Sequence, residues 1–224
     1  MAVKQARARR PRDPQATRAA ILEASCSLLA KDGPEGISLS EVALLAGVNR
    51  GTAYQHFETR EKLIEETVAW VSDKMYRAVL GDPADAEKRE VANVDMADVT
   101  NRLACFAMEN PELCRIWLLQ ILSAPEPSAD PFWREYAGSI GRFAQTDMAQ
   151  PNIDVEVFSI LTLAGNFLWP VWARSQSHGD EARQHLSKRF VREMLRLSLY
   201  GTVRPETQPG LAHKVEGTAS VKGV

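Results

Sequence analysis

The 224-residue chain is 45% apolar and 25% charged, the balance of a globular protein that can bury a core. Three cysteines (Cys26, Cys105, Cys114) with no CxxC pair argue against a disulfide framework or a zinc site, and read as small buried hydrophobes. No unbroken apolar run of about 18 residues occurs, so neither a membrane span nor a membrane partner is expected. The basic N-terminus has no apolar stretch behind it, which leaves the cytoplasm as the expected location.

The formal charge of −2 conceals an asymmetry. Residues 1–62 carry a balance of +3 and the remainder −5. Lys4, Arg7, Arg9, Arg10, Arg12 and Arg18 face only Asp13 within the first eighteen residues, and residues 1–14 read as a flexible basic arm suited to phosphate. From there on the apolar spacing is helical and no segment alternates as a strand does. A first helix is expected over about 15–31, with Ile21, Leu22, Ser25, Leu28 and Leu29 on one face and Gly33-Pro34 as its stop. Ser38 opens a second helix with capping-box spacing to Glu41. That helix buries Leu39, Val42, Ala43 and Leu45 and stops at Gly47. Asn49 caps a third, Arg50–His56, with Val48, Ala53 and Phe57 pointing inward. Thr59 caps a fourth, which runs to about Leu80.

Residues 82–94 read as a loop or weak helix. A fifth helix is expected over about 95–109, bearing Met96, Val99, Leu103 and Phe106. Asn110-Pro111 starts a sixth, to about Ser123, with Asn110 as its cap. Asp130-Pro131 starts a seventh, to about Gln150. Asn152 begins an eighth that is apolar on most sides and is kinked or cut short by Pro170. Asp180 caps a ninth. Residues 202–224, rich in Gly, Pro, Thr and Ser, read as a disordered tail. The fold expected is all-α: a three-helix helix-turn-helix unit over residues 15–58 and a larger helical body over 59–201, about nine helices in all.

Two short helices joined by a Gly-containing turn can set the second into a major groove. Arg50 can bridge guanine O6 and N7, and Gly51 lets the backbone approach. Thr52 and Gln55 can meet base edges, and Tyr54 and His56 can donate to phosphate. Arg60, beside a helix N-terminus, and Ser38 add further phosphate donors. Asn49 completes the candidate surface. The alternative is a structural αα-corner with a solvated polar face. Four histidines (56, 178, 185, 213) show no metal spacing. GxSxG, P-loop, GxGxxG and HExxH patterns are absent, so no enzyme activity, cofactor or metal is expected.

Residues 17–63 resemble the TetR family of transcriptional regulators. The resemblance rests on Thr17-Arg18, Ile21-Leu22, Gly33, Ser38, Val42-Ala43, Ala46-Gly47-Val48, Tyr54, His56-Phe57, Thr59 and Leu63. Asn49 stands where the family more often has Ser, Ala53 where it has a larger apolar residue, and Arg60 where it has Lys. The resemblance implies a homodimer built through the last two helices, a near-palindromic double-stranded DNA operator, and a small-molecule inducer. Burial of the eighth helix inside its own monomer is the alternative to a dimer seam. The walls of an inducer pocket would come from the aromatic-rich body, with Phe106, Trp117, Tyr136, Phe143 and Phe167 as candidates and Gln120, Arg142 and Asn166 as polar groups; Arg115 is a further polar candidate. The function expected is a repressor released by an apolar or aromatic molecule. Rival readings are a constitutive repressor or activator of the same fold, and a small helical enzyme.

Overall fold

The computed structural model describes residues 13–88, 96–146, 149–176 and 179–200. Most of the basic arm, the tail, His178, His213 and part of the 82–94 stretch lie outside the described residues. Among those described, the fold is all-helical: α1 Pro14–Asp32, α2 Leu39–Leu45, α3 Arg50–His56, α4 Arg60–Val79, α5 Met96–Glu109, α6 Pro111–Ser123, α7 Pro131–Phe143, α8 Val155–Gln176 and α9 Asp180–Tyr200. Single 3₁₀ turns cover Pro34–Gly36, Pro83–Lys88 and Pro127–Ala129.

The first three helices form a compact head. Asp13 caps α1, its carboxylate accepting from Gln15 N at 2.9 Å, so the helix begins one residue before the expected start. Ile21, Leu22, Leu29, Leu39, Val42, Ala43, Ala53 and Phe57 meet in its core. Gly47 turns the chain between α2 and α3 at φ +64°, where a side chain would be strained. Its N–H donates to Leu44 O, and that of Val48 to Ala43 O, which closes the end of α2. Leu45 is not in the core as expected. It is 56% exposed and its neighbour Leu44 is 82% exposed, because a seven-residue helix has room to bury only one face.

Helix α4 joins head and body. Buried Thr67 donates to Leu63 O and is hydrogen-bonded to Ser25 of α1 at 2.9 Å. Arg18 of α1 pairs with Glu66 and lies 5.2 Å from the centre of the Phe57 ring. From the body, Arg115 Nη1 reaches back to Ala30 O near the end of α1 at 3.1 Å. A cation at a helix C-terminus meets both the free carbonyls and the negative end of the dipole.

Helix α4 packs on α5, α6 and α7, and α8 packs on α5, α6, α7 and α9. Several sequence expectations move here. Asn110 does not cap α6 with its side chain; its Nδ2 donates backwards to Phe106 O at 3.1 Å and closes α5 instead. α7 stops at Phe143 rather than near Gln150; Ala144 N–H donates to Ile140 O and closes the last turn. α8 starts at Val155, with Asp154 rather than Asn152 accepting from the first turn, at Val157 N. It passes through Pro170 to Gln176 without ending. Asp180 is the first residue of α9 rather than its cap and pairs with Arg183.

The apolar excess of α8 faces outward. Val157, Leu161, Leu168, Val171 and Trp172 are each half or more exposed, or nearly so, and recur at three-, four- and seven-residue spacing along one side. By length and composition Val155–Ser175 could cross a bilayer, at mean hydropathy 1.3, against the expectation of no such segment. A helix with one side in a core and the other against a partner has the same composition.

Candidate functional site

Helix α3 is held by chemistry at both ends. Asn49 Oδ1 accepts from Thr52 N at 2.7 Å and from the Thr52 hydroxyl at 3.0 Å. At the other end Phe57 N–H donates to Ala53 O, and the Phe57 ring is buried. Ala53 is fully buried beneath, so the remaining positions point away from the head. Arg50, Gly51, Tyr54 and Gln55 are exposed, and Thr52 and His56 are half-buried at the edge. The Arg50 guanidinium lies 5.5 Å from the centre of the Tyr54 ring, one turn on. Such a pair restrains the arginine without using its donors. Asn49→Ala is expected to cost about 1 kcal/mol, the usual value of a helix cap, read as a lower urea midpoint with unchanged slope.

Two of the expected phosphate donors are already engaged. The Ser38 hydroxyl accepts from Glu41 N at 3.2 Å and donates to Glu41 Oε2 at 2.8 Å. The capping-box spacing is thus present, but the Glu41 carboxylate meets the Ser38 hydroxyl. Arg60 donates through Nε to Ile37 O at 3.1 Å and through Nη2 to Pro34 O, and lies 3.6 Å from carboxylate oxygens of Glu35 and Glu61. It braces the loop that leads into α2. Thr59 caps α4, accepting from Lys62 N at 3.1 Å. The structure therefore brings Asn49, Arg50, Gly51, Thr52, Tyr54, Gln55 and His56 to one helix, with Ser38 and Arg60 at the turns that support it.

The expected sensing residues divide. Trp117, Phe132 and Phe167 form an edge-to-face cluster with ring centres 5.3–5.5 Å apart about Trp117, and Tyr136 stacks on Phe132 at 5.9 Å. Phe106 is buried nearby in the same core. The Tyr136 hydroxyl is 2.9 Å from Thr162 Oγ1, and burial pushes its pKa up while that hydrogen bond partly offsets the rise. Asn166 is buried one turn along α8, its Nδ2 donating to Thr162 O. Phe143 is half-buried at the end of α7. Gln120 is exposed, Arg142 is exposed and paired with Glu135 at 2.7 Å, and Arg115 holds the Ala30 carbonyl. None of the three is brought to the aromatic cluster by a contact.

A groove of about 470 Å³ lies elsewhere, between α4 and α7, lined by Asp73, Tyr76, Arg77, Pro131, Arg134 and Glu135. Burial pushes the thiols of Cys26 and Cys114 up to about 12, so neither is a nucleophile near neutral pH. The sequence groups Arg18 with the basic arm, whereas it bridges Glu66 and the Phe57 ring, residues that spacing does not bring together. Among the described residues no cluster of metal-ligating side chains occurs.

Residues 21–67 match the family model of bacterial regulatory proteins of the tetR family. The chain is 33% identical over 72 residues to the HTH-type transcriptional repressor Rv3405c of Mycobacterium tuberculosis, a stretch covering 32% of this chain and 38% of that protein. A Mycobacterium bovis regulator, Mb3439c, matches equally. The chain thus spans well under half the length of these relatives in the matched region. Its fold is similar to that of a TetR family transcription regulator from Marinobacter aquaeolei VT8, with TM-score 0.57 and 21% identity over 79% of this chain and 94% of that one. It is also similar to the ketosteroid transcriptional regulator KstR2 of Mycobacterium tuberculosis, with TM-score 0.57 and 16% identity over 84% and 95%. These relatives are regulators rather than enzymes. The head is thus similar to bacterial regulatory proteins of the tetR family over residues 21–67, and the solved structures share the helical fold behind it.

Proposed function

We propose that the chain is a ligand-responsive, DNA-binding transcriptional repressor of the cytoplasm. It acts as a homodimer on a near-palindromic operator and is released by a small, largely apolar or aromatic molecule. The observation that carries this reading is the outward edge of α3, where Arg50, Tyr54 and Gln55 stand exposed on a helix locked at Asn49 and Phe57. Such an edge supplies base donors over a rigid base, as major-groove reading requires. The exposed stripe on α8, with α9 beside it, is the proposed dimer seam, since a monomer rarely leaves so continuous an apolar strip in water. Two-fold pairing would set the two α3 helices in successive grooves, about 34 Å apart.

Arg50→Ala is expected to cost about 1–3 kcal/mol of binding and to relax preference at one base position. Fluorescence anisotropy with promoter fragments from the gene's own locus, and with single-base variants of the bound fragment, measures both. Equal binding of all duplexes by wild type and variant, at low salt, would refute the assignment. The close packing of Trp117, Phe132 and Phe167 favours a second reading, a regulator that holds its operator without an effector. Trp70, Trp117, Trp133, Trp169 and Trp172 report on this directly. Quenching by compounds that also release DNA supports the first reading, and silence across a broad library supports the second.

A further inference from the structure

Among the described residues of the helical body, five buried side-chain polar atoms find no hydrogen-bond partner within the protein. Arg102 Nε on α5 lies 3.1 Å from an Asp98 carboxylate oxygen, and Trp169 Nε1 belongs to a partly exposed ring. That leaves three on fully buried residues: Ser72 Oγ on α4, Trp117 Nε1 on α6 and Asn166 Oδ1 on α8. Their residues are 1%, 1% and 2% exposed. α4 packs on α6 and α6 on α8, and Trp117 makes ring contact with Phe167, the chain neighbour of Asn166. Each atom had a local alternative. Serines in helices commonly give their proton to the carbonyl four residues back, as Ser123 and Ser159 do here; Ser72 does not. Asn166 uses its Nδ2 on Thr162 O and leaves Oδ1 directed elsewhere. Pro170 has no N–H to offer the Asn166 backbone carbonyl, so acceptors gather at that point of α8. Buried polar groups are nearly always paired, and three exceptions on helices that pack together need an explanation. Trp169 Nε1 is also unpartnered, but its ring stacks between Trp172 and Phe190 at the α8–α9 seam.

We propose that Ser72, Trp117 and Asn166 are the polar anchors of the effector site, and that the effector is an uncharged ring compound. It carries a carbonyl-type acceptor for Trp117 Nε1–H and a hydroxyl or N–H donor for Asn166 Oδ1. This rests on the reading of the body as a sensing domain. Among the described residues no fully buried residue bears a formal charge, and Arg102, whose Nε is buried, is already paired with Asp98, so an ionised effector would enter this core without a free counter-ion. The aromatic walls suit a flat apolar frame. Ser72 lies on α4, the helix that starts directly behind α3, so an effector bound there touches the element shared by head and body.

The test uses the full chain with three matched probes: 4-hydroxyacetophenone, which is neutral and has both groups, 4-hydroxybenzoate, which is anionic, and 4-ethyltoluene, which has no polar group. Tryptophan quenching and thermal shift are read for wild type, Asn166→Leu and Ser72→Ala. The neutral polar probe is expected to quench and to raise the melting temperature more than either control. Asn166→Leu should weaken that response by about tenfold, since the acceptor that meets the probe's donor is removed. Ser72→Ala should weaken it by a smaller factor. Three results each overturn the proposal: no response to 4-hydroxyacetophenone, an equal or stronger response to 4-hydroxybenzoate, or Asn166→Leu responding as wild type. Promoter binding by the same samples separates the two claims: its loss with an intact probe response sinks the regulator reading alone.

Discussion

Phe57→Ala is expected to destabilise the head by about 3–5 kcal/mol and to abolish DNA binding. Phe57 ends α3, is 1% exposed, and sits among the core side chains of the head. Its N–H closes the last turn of α3, and its ring carries the Arg18 guanidinium that also pairs with Glu66 of α4. Truncation opens a cavity at a point where α1, α3 and, through Arg18, α4 depend on the same side chain. A whole domain has only about 5–15 kcal/mol of stability, so a large part of it goes. Urea unfolding followed by circular dichroism should show a lowered midpoint, and promoter binding should vanish at temperatures where wild type binds. Phe57→Leu keeps most of the volume and should cost far less. If Phe57→Ala binds DNA with wild-type affinity, the head is not held together at that ring.

Leu161→Glu combined with Leu168→Glu is expected to split the dimer and to weaken promoter binding by about 100-fold or more. Both side chains are 61–64% exposed in the single chain, so carboxylates there need not disturb its own core. Across a two-fold seam the same carboxylates would be desolvated and would face like charges. The binding loss follows from linkage: two heads on one scaffold gain about 10²–10⁴ in effective affinity, which separate heads forfeit. Sedimentation velocity should report a monomer with unchanged helix content. A double variant that stays dimeric would place the seam elsewhere.

The head was legible because its signals are local. Asn49 and Phe57 mark both ends of α3 within eight residues, and the observed helix matches the expected one at each end. Ser38, Gly47 and Thr59 likewise act on backbone a few residues away. Legibility failed where the deciding partner is remote or where two signals compete. Nothing near Arg60 in sequence announces carbonyls at residues 34 and 37. Asn110 could close one helix or open the next, and spacing does not choose. Asn152 and Asp154 both suit the start of α8, and the carboxylate is the one that accepts from the helix. The aromatic core of the body was visible as a class of residues but not as an arrangement. Trp117, Tyr136, Asn166 and Phe167 converge, whereas Gln120 and Arg142 face water, because a long polar side chain on a helix reads alike on either face.

The link from Arg115 to the Ala30 carbonyl has a mechanical consequence. Together with the Ser25–Thr67 pair it pins α1 at two separate places, once to the spine of the molecule and once to its interior. A rod fixed at two points cannot pivot about either. Any sliding of α6 therefore drags the far end of α1, and the head tilts as a block rather than wobbling on a single hinge.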